Sequence, residues 1–381
     1  MKTQFWTAVF IATLCALSAI QSEARTLYVD ASRPNNKGNG LKLKTAKKTI
    51  QAAINIARKG DTILVYPGTY APIRTNNKKI TIKSVKGKEK TRVKTGSSAY
   101  KTIHALDLGN GKATTVSGFH ISAGVNYHGA VFGGAVRNST FSEIGGMYGC
   151  VKDGDSYSYK YSHTFYKTAL TACILDCCSP GTEGTCMIYA SHLNRCRITG
   201  SFARDGIKND NREIIRESFL ANCLIEGNAD LRGGYCLGDP QHLYFKSCEL
   251  WNCTLCANVP ILMTSSKVNN SILYKTGTHP FKASSNNMFK NCCKNSNPRF
   301  VETPVLSPKT VTTVEEAEWG TWTSTTTEYT FIPGDCRLLK GSPCIDKGKL
   351  TVAQKKLVGS KDLAGRKRIR GKAIDRGCYE Y

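Results

Sequence analysis

Asn222-Cys223-Leu224-Ile225 is the clearest copy of a phrase that recurs along this chain: a small or polar residue, often Asn, then Cys or Ser, then an alternating apolar pair. The second positions from Cys173 to Ser271 follow one another at 23, 27, 25 and 23 residues. Repeats of this length are typical of stacked-repeat proteins. The other copies are Asn138-Ser139-Thr140-Phe141, Ala172-Cys173-Ile174-Leu175, Arg195-Cys196-Arg197-Ile198, Ser247-Cys248-Glu249-Leu250 and Asn270-Ser271-Ile272-Leu273, with weaker ones at Gly118 and Asn286.

Each copy of the phrase is long enough for one short strand. The segments between the copies lack sustained helical periodicity. One strand plus turns per repeat, stacked on its neighbours, describes a parallel β-helix, in which each rung buries its apolar face against the next. The repeat therefore predicts an all-β, single-stranded parallel β-helix, a solenoid that forms one domain.

The first 24 residues are predicted to be a secretory signal peptide. Lys2 gives a positive start, residues 5–20 are largely apolar, and Ser22-Glu23-Ala24 resembles a small-x-small cleavage site. The run is short for a membrane span, which needs about 20 apolar residues, and a retained anchor is the alternative. We expect residues 25–381 to be exported, either secreted or at the cell surface, with no transmembrane segment once the signal is removed.

The chain is strongly basic. Fifty-three Lys and Arg residues stand against 28 Asp and Glu, giving a formal net charge of +25. Such a charge attracts polyanions, and for an exported protein these include acidic polysaccharides. The alternative is that the lysines only keep a large solenoid soluble. Phosphate-loop and nucleic-acid motifs are absent, so we expect no specific nucleic-acid binding.

The chain contains 17 cysteines, including Cys15 in the predicted signal peptide. The remaining even number in an exported chain allows disulfides, and Cys344 and Cys378 are one candidate pair. Stacked strands are about 4.8 Å apart, and buried Cys acts as a compact hydrophobe. We therefore expect an inward-facing ladder of thiols, with bridging as the alternative, at the shared phrase position of Cys173, Cys196, Cys223 and Cys248.

A short helix is expected before the first coil, within residues 45–60. Apolar residues at 50, 53, 54 and 57 share one helical stripe, and Lys59-Gly60 ends it. Such a helix covers the open end of a solenoid, whose bare strand edge otherwise templates aggregation.

Motifs at both ends of the chain resemble one known group. They are the opening Leu-Tyr-Val-Asp-Ala-Ser at 27–32, the helix motif at 48–54, the stretch Gly60–Tyr70, the C-terminal Gly341–Gly348, Asp362–Arg366 and Ile374–Tyr381. Together they resemble secreted bacterial right-handed parallel β-helix proteins of the pectate-lyase-like superfamily. The resemblance implies a right-handed solenoid, and an irregular C-terminal excursion plus terminal motif at 298–381. The superfamily includes lyases, hydrolases, epimerases and noncatalytic members, so the resemblance leaves the activity open.

An aromatic and basic insertion lies within residues 145–168. The rung from Ser139 to Cys173 spans 34 residues, roughly ten more than its neighbours. Its Tyr and Lys side chains suit a wall of a saccharide groove, because aromatic faces pack on sugar rings and lysines pair with carboxylates. The alternative is that the tyrosines cover apolar strand surface. The predicted substrate-binding residues are Tyr157, Tyr159, Lys160, Tyr161 and Lys167.

Two acidic segments follow consecutive copies of the phrase. Asp205 and Asp230 are 25 residues apart, about one coil, so their side chains are expected on the same edge. Carboxylate and amide oxygens are the ligands that calcium takes. Asp205, Asp210 and Asp230 are therefore the predicted calcium ligands. Turns built by Asp, Asn and Gly are the alternative.

Basic residues are interleaved with these carboxylates. In a polyuronate lyase a cation or arginine neutralises the uronate carboxylate, a base removes the C5 proton, and the 4-linked oxygen leaves. The predicted base is Lys208, with Arg204 and Arg232 as its partners. No lyase motif matches closely, so only the residue types are carried over from the superfamily.

The sequence thus predicts a monomeric protein that acts on or binds acidic polysaccharide. A β-eliminating polyuronate lyase of the pectate or alginate type is the leading hypothesis. A noncatalytic carbohydrate-binding β-helix or adhesin is the alternative. A hydrolase needs two or three converging acids, and Asp153, Asp155 and Asp176 are not spaced to provide them.

Overall fold

The computed structural model describes residues 23–95, 104–110, 113–122, 129–142, 150–153, 156–159, 165–175, 187–201, 215–228, 243–257, 261–275, 282–283, 286–294, 296–317 and 320–381. The predicted signal peptide lies almost entirely outside this part of the chain. Within it, no helix is both long enough and apolar enough to cross a bilayer.

Three long, all-parallel sheets run along the molecule, with strands numbered β1 to β36 in chain order. Sheet A consists of β1 (Thr26–Val29), β2 (Thr62–Val65), β5 (Thr81–Ser84), β8 (Thr115–Ser117), β11 (Ala135–Arg137), β16 (Ala169–Thr171), β19 (His192–Asn194), β22 (Phe219–Ala221), β25 (Glu249–Trp251), β28 (Lys267–Asn269) and β31 (Met288–Lys290). Sheet B consists of β3 (Gly68–Tyr70), β6 (Thr91–Lys94), β9 (His120–Ser122), β12 (Thr140–Ser142), β17 (Ile174–Leu175), β20 (Arg197–Ser201), β23 (Leu224–Asn228), β26 (Thr254–Ala257), β29 (Ile272–Lys275) and β32 (Cys293–Lys294). Sheet C consists of β4 (Ile73–Arg74), β7 (Leu106–Gly109), β10 (Val131–Gly133), β15 (Phe165–Tyr166), β18 (Ile188–Tyr189), β21 (Ile215–Arg216), β24 (Leu243–Lys246), β27 (Ile261–Thr264) and β30 (Lys282–Ala283).

Successive strands pass from sheet C to A to B and back to C, so the predicted right-handed parallel β-helix is confirmed. The expectation of one strand per repeat is wrong, because a coil carries three. Each copy of the recurring phrase covers one corner and the strand that follows it. In most copies this is the corner between sheets A and B, but at Ser247-Cys248-Glu249-Leu250 and Asn286-Asn287-Met288-Phe289 it is the corner between sheets C and A. The strands of sheet C are two to four residues long, too short to show alternation in the sequence.

The core is built from columns of equivalent residues. Each inward side chain of sheet A pairs with the inward side chain of the next coil, and the members of this column are at most 1% exposed. Because these sheets bury one apolar face completely, truncating a column member such as Leu193 to Ala is expected to cost about 2–5 kcal/mol. The column contains Leu27, Ile63, Ile82, Val116, Val136, Leu170, Leu193, Leu220, Leu250 and Val268.

The corner between sheets A and B explains the Asn of the phrase. One residue of each coil adopts a positive φ there, a left-handed conformation that Gly and Asn tolerate best. The residues at this corner are Gly118, Asn138, Ala172, Arg195, Asn222, Asn252, Asn270 and Asn291.

The next residue explains the Ser or Cys. Its side chain points inward and donates to the carbonyl two residues earlier, from Ser271 Oγ to Asn269 at 2.8 Å and from Cys223 Sγ to Ala221 at 3.2 Å. The same position in the preceding coil, Cys253, donates a backbone N–H to Ser271 Oγ at 3.1 Å. Either Ser or Cys can therefore occupy this position, because both supply a small inward-pointing hydrogen-bond donor.

The predicted thiol ladder is correct for three of its four members. Cys173, Cys196 and Cys223 occupy the corner between sheets A and B, and the next member is Cys253, which contacts Cys223. Cys248 lies instead at the corner between sheets C and A, where its amide donates to Ser266 Oγ at 3.1 Å. The two corners use the same residue types, so the phrase alone does not distinguish them. These cysteines are free thiols.

The predicted N-terminal helix is present as α1 (Ile50–Ile56), after a 3₁₀ turn at Leu43–Thr45. Thr49 caps it by accepting from the amide of Ala52 at 3.2 Å. Gln51 hydrogen-bonds both the N–H and the C=O of Arg74 at the outer edge of sheet C. Lys78 Nζ donates to three carbonyls at the C-terminus of α1. The helix therefore covers the first coil as expected.

The C-terminal segment, residues 298–381, contains regular structure. Strands β33 (Phe300–Glu302) and β36 (Asp335–Leu338) pair antiparallel, as do the long strands β34 (Val305–Ala317) and β35 (Gly320–Ile332). A helix, α2 (Val352–Val358), begins with a capping box at Thr351. A further antiparallel pair, β13 (Cys150–Asp153) and β14 (Ser156–Tyr159), lies in the predicted insertion.

Corner asparagines hold this C-terminal segment on the solenoid. Asn222 Nδ2 donates to the carbonyl of Val358 at 2.8 Å, and Asn252 Nδ2 donates to that of Asp375 at 3.2 Å. Asn270 both donates to and accepts from the backbone of Lys349, at 2.9 and 3.0 Å. The segment therefore covers the later coils at the corner between sheets A and B.

Candidate functional site

The outward side chains of sheet C form a column that differs from the rest of the surface. Paired strands place one outward residue from each coil directly beside the next. We call this column, together with the adjacent corner residues Lys167 and Glu217, the sheet C face. From β4 to β24 the column contains Arg74, Asp107, Phe132, Tyr166, Tyr189, Arg216 and Lys246.

Three aromatic rings are stacked at the centre of the sheet C face. The ring centroids of Phe132 and Tyr166 are 5.3 Å apart with 15° between their planes, and those of Tyr166 and Tyr189 are 5.6 Å apart with 9°. The ring centroids of His104 and Phe132 are 5.6 Å apart. They lie at the end of the ladder nearest the N-terminal coils, which we call the upper end; the opposite end is the lower end. Since both faces of Tyr166 are covered by its neighbours, this ladder presents ring edges and hydroxyl groups outward.

Cations flank the aromatic ladder. The guanidinium of Arg216 lies 5.6 Å from the centroid of the Tyr189 ring, at the lower end of the stack. Lys167 Nζ lies 5.0 Å from the centroid of Tyr166. Both are cation–π distances, at which a cation is attracted to an aromatic ring.

Two carboxylates on the same face are already paired. Asp107 Oδ2 accepts from Arg74 Nε at 2.9 Å, and Glu217 Oε1 accepts from Arg216 Nε at 3.0 Å. The hydroxyl of Tyr189 donates a hydrogen bond to Glu217, and this bond raises the pKa of Tyr189. Tyr189 therefore stays protonated at neutral pH and acts as a hydrogen-bond donor.

An open cleft of ≈ 620 Å³ lies at the upper end of the sheet C face. Its walls come from α1, from β4 and the residues beside it, and from the start of the aromatic ladder. The Arg74–Asp107 pair lies in its lining, and the cleft continues into the ladder at Phe132. Its lining residues are Gln51, Pro72, Ile73, Arg74, Asn76, His104, Asp107 and Phe132.

The arrangement suits binding more than chemistry. Four cations and two carboxylates lie on the sheet C face, so it is net positive. Donors at the ring edges and on the cations can hydrogen-bond carboxylates and sugar hydroxyls. Among the residues that the structure describes, no group of three metal-ligating side chains is present.

Most of the sequence-predicted site residues lie outside the described residues. This holds for Lys208, Arg204, Arg232, Asp205, Asp210, Asp230, Lys160 and Tyr161. The backbones of Tyr157 and Tyr159 lie in β14, paired with Lys152 and Cys150. Lys167 is placed on the sheet C face, at the corner after Tyr166. The catalytic, calcium and saccharide roles stay predictions.

The strands on either side of the two acidic segments are described. Residues 202–214 follow β20, and residues 229–242 follow β23, two strands that pair over five residues and end at Ser201 and Asn228. The first segment leads into β21 and the second into β24, which also pair. The strands that flank the two segments therefore belong to consecutive coils, and the strands that follow them, β21 and β24, carry Arg216 and Lys246 at the lower, basic end of the sheet C face.

The aromatic ladder was not recognised from the sequence. Its signal is an aromatic residue just before a corner, as in Tyr166-Lys167 and Tyr189-Ala190. Tyr166, Tyr189 and Arg216 recur at steps of 23 and 27 residues, the same steps that separate Cys173, Cys196 and Cys223. Aligning the coils on both corners is enough to find it.

No family model and no curated protein matches the sequence. Solved structures that resemble the chain include the pectate lyase Pel9A, at 13% identity over 94% of this chain and 97% of the other, with a TM-score of 0.42. Pectin methylesterase PemA from Erwinia chrysanthemi is 13% identical over 90% of this chain and 98% of the other, with a TM-score of 0.26. A mutant pectin methylesterase in complex with hexasaccharide IV is 15% identical over 68% and 81%, with a TM-score of 0.28.

Proposed function

We propose that the protein binds an acidic polysaccharide along the sheet C face. The observation that carries the proposal is the stacked ladder of Phe132, Tyr166 and Tyr189 with cations on either side of it. The stack fixes the ring positions before a ligand arrives. Binding to a preorganised surface loses less conformational entropy than binding to mobile side chains.

The shape of the face favours a linear polymer. Adjacent strands are about 4.8 Å apart, so the six steps from β4 to β24 cover roughly 29 Å. Each coil offers an outward side chain at a regular interval along this length. A small molecule would occupy only the cleft at the upper end, whereas an extended chain can contact the whole column.

The charge favours an acidic polymer. Cations outnumber carboxylates on the face, and the whole chain carries +25. Surface charges attract an anionic ligand, and salt screens them over about 10 Å at 0.1 M. Binding should therefore weaken as the ionic strength rises, while a neutral glucan should show little affinity at any salt concentration.

Calorimetric titration with pectate, alginate, a sulfated glycosaminoglycan and a neutral glucan tests this proposal. Losing one charge-assisted contact of about 1 kcal/mol weakens binding roughly fivefold, which is the effect expected for Arg216→Gln. The matched control is Arg92→Gln, which removes an exposed cation from sheet B. Equal losses in both variants, or equal affinity for the neutral glucan, would contradict a specific site on sheet C.

We further propose that segments 202–214 and 229–242 add β-elimination to this binding. The supporting observation is that the strands before and after the two segments are paired. We propose that Asp205 and Asp230 lie on neighbouring coils. In this proposal Arg204 and Arg232 neutralise the uronate carboxylate, and Lys208 removes the C5 proton. Asp205, Asp210 and Asp230 are the residues that would hold calcium.

Ultraviolet absorbance of the unsaturated uronate product tests the lyase proposal. The signal should rise with at least one polyuronate and should be lost in Lys208→Ala and with a chelator, while Arg92→Gln keeps full activity. A rise that persists in Lys208→Ala would reject the assigned base and retain the lyase. No rise on a polymer that the calorimeter shows to bind would leave a noncatalytic binding protein.

A further inference from the structure

Five cysteines meet where sheet B contacts the C-terminal segment. Cys256 and Cys293 belong to β26 and β32 of the solenoid, whereas Cys336 lies on β36 and Cys344 and Cys378 follow it. All five are at most 4% exposed and belong to one apolar cluster. The contact between the solenoid and the C-terminal segment is therefore lined with thiols.

The thiols in this cluster are arranged in two pairs and a remainder. The Sγ atoms of Cys256 and Cys336 are 3.5 Å apart. Cys293 and Cys344 are hydrogen-bonded through their side chains. Cys378 is hydrogen-bonded to Thr254 through both its amide and its thiol. Each pair therefore places one solenoid thiol beside one thiol of the C-terminal segment, and all five are free thiols in the structure. The neighbour of Cys344 is Cys293 rather than Cys378, the candidate partner from the sequence.

The internal thiol ladder is arranged differently. Its members lie on stacked strands held about 4.8 Å apart, with side chains pointing in the same direction, whereas the Cβ atoms of a disulfide are about 3.8 Å apart. Each ladder thiol also donates to the carbonyl two residues earlier, as Cys223 and Cys253 do. The ladder therefore favours reduced thiols, whereas the cluster pairs face each other across a contact between two parts of the chain.

We propose that Cys256–Cys336 and Cys293–Cys344 form disulfides that fasten the C-terminal segment to the solenoid, with Cys378 left reduced. The oxidant is a small disulfide such as oxidised glutathione. One cysteine thiolate of a pair attacks it, giving a mixed disulfide and releasing one thiol. The thiolate of the second cysteine then attacks the sulfur of the first cysteine, which forms the Cys–Cys bond and releases the second thiol. Each pair gives up two protons and two electrons, and the oxidant becomes two thiols.

The order of events follows from burial. Because the thiols are buried in the folded protein, the oxidant must reach them before the C-terminal segment packs fully. Packing then brings the two cysteines of each pair together, so the second exchange step takes place as the segment docks.

The two bonds would close long loops, since Cys256 and Cys336 are 80 residues apart in the chain. Cross-linking distant residues stabilises the native state chiefly by restricting the unfolded chain. Reduction of the oxidised protein is expected to lower the melting temperature by about 5 °C.

Peptide mapping of the full-length protein, refolded with oxidised and reduced glutathione and digested without reductant, tests the pairing. The expected result is two cross-linked peptides, 256 with 336 and 293 with 344, while Cys378 and the ladder thiols are alkylated after denaturation. Alkylation of every cysteine without reductant would overturn the proposal. So would a Cys336–Cys378 peptide.

Comparing a cluster variant with a ladder variant separates the effect of a lost disulfide from a general effect of Cys→Ser on folding. The double variant Cys256→Ser/Cys336→Ser should lose one cross-linked peptide and part of the reductant-dependent change in melting temperature. Cys223→Ser in the ladder should keep both peptides and the full change. If the double variant fails to fold, the single variants Cys293→Ser and Cys344→Ser provide the same comparison at the other pair. If a cluster variant that folds shows the same reductant-dependent change in melting temperature as the native protein, the proposed bonds are contradicted.

Discussion

Ser191 shows how a single corner residue serves two coils. Its hydroxyl donates to the carbonyl of Tyr189 at 2.8 Å and accepts from the amide of Thr168, one coil earlier, at 3.2 Å. Ser191 is 4% exposed and Thr168 is 1% exposed, so the bond between them is buried. Corner Ser and Cys residues are therefore selected for hydrogen bonding as well as for size.

Substitutions of Ser191 should distinguish its hydrogen-bonding role from the requirement for a small side chain. Ser191→Ala leaves the buried N–H of Thr168 without this partner, while the carbonyl of Tyr189 keeps the bond from the backbone N–H of Lys167. The loss should lower the free energy of unfolding by about 1–3 kcal/mol. Ser191→Cys should lower it less, since Cys248 makes the equivalent bond to Lys246 in the same column. Urea denaturation measures both, with Thr171→Ala on the outer surface as control. Equal losses for Ala and Cys would reject the hydrogen-bonding role.

Glu380 should give the stability a pH dependence. It is 1% exposed, lies 3.5 Å from Arg368, and accepts from the amide of Asp375. Burial is the main reason that its pKa rises to about 8, and the attraction of Arg368 only partly opposes it. Because the pKa is raised on folding, the stabilising protonated form is fully present below about pH 4.5 and is lost as the pH rises through about 8.

Glu380→Gln should remove this dependence. The melting temperature of the native protein should fall, relative to that of the variant, as the pH rises from about 5 to 9. Carboxylates with a lowered pKa titrate at lower pH and affect both proteins alike. An example is Asp61, at which burial raises the pKa but the hydrogen bonds from Arg25 and Arg58 outweigh it. Parallel melting curves for the two proteins across this range would show that Glu380 is not the titrating group.

Asn270 shows how one element docks on another. It combines a positive φ of 48° with two hydrogen bonds to the backbone of Lys349. Gly at this position tolerates the positive φ but lacks the side chain that bonds Lys349. Ala lacks that side chain too, and it also disfavours the positive φ. Relative to the native protein, Asn270→Gly should cost about 1–2 kcal/mol and Asn270→Ala about 1 kcal/mol more.

Asn291 provides the matched control, because it has the same left-handed conformation, with φ of 53°, in the last coil. Asn291→Gly should leave both the unfolding free energy and the protease resistance of the C-terminal segment unchanged. Asn270→Gly should make that segment easier to cleave. Equal behaviour of the two Gly variants would mean that docking does not depend on the corner side chain.

The elements differ in how well the sequence predicts them. The amphipathic stripe predicts α1, which is confirmed at Ile50–Ile56. Sheet C is missed because strands such as Phe165–Tyr166 have two residues and no detectable alternation. Cys248 is assigned to the wrong corner because both corners require a left-handed residue followed by a small donor.

At the scale of the whole molecule, the solenoid converts a sequence repeat into a surface repeat. Chain segments that are 23 to 34 residues apart, as in Phe132, Tyr166 and Tyr189, become neighbours on one face. The fold class is predictable because every coil repeats the same corners. The candidate site is harder to predict than the fold. The aromatic ladder depends on which residues of successive coils lie side by side, and a single copy of the phrase carries no information about this register.

The measurement that tests the central claim most directly is hydroxyl-radical footprinting of the protein alone and saturated with an acidic polysaccharide. Oxidation of Tyr166 and Tyr189 should fall when the polymer binds, because it lies over the outward edges of their rings. Tyr28, on the outer surface of sheet A, should be oxidised equally in both samples. Protection of Tyr28 with no change at Tyr166 and Tyr189 would contradict binding along the sheet C face.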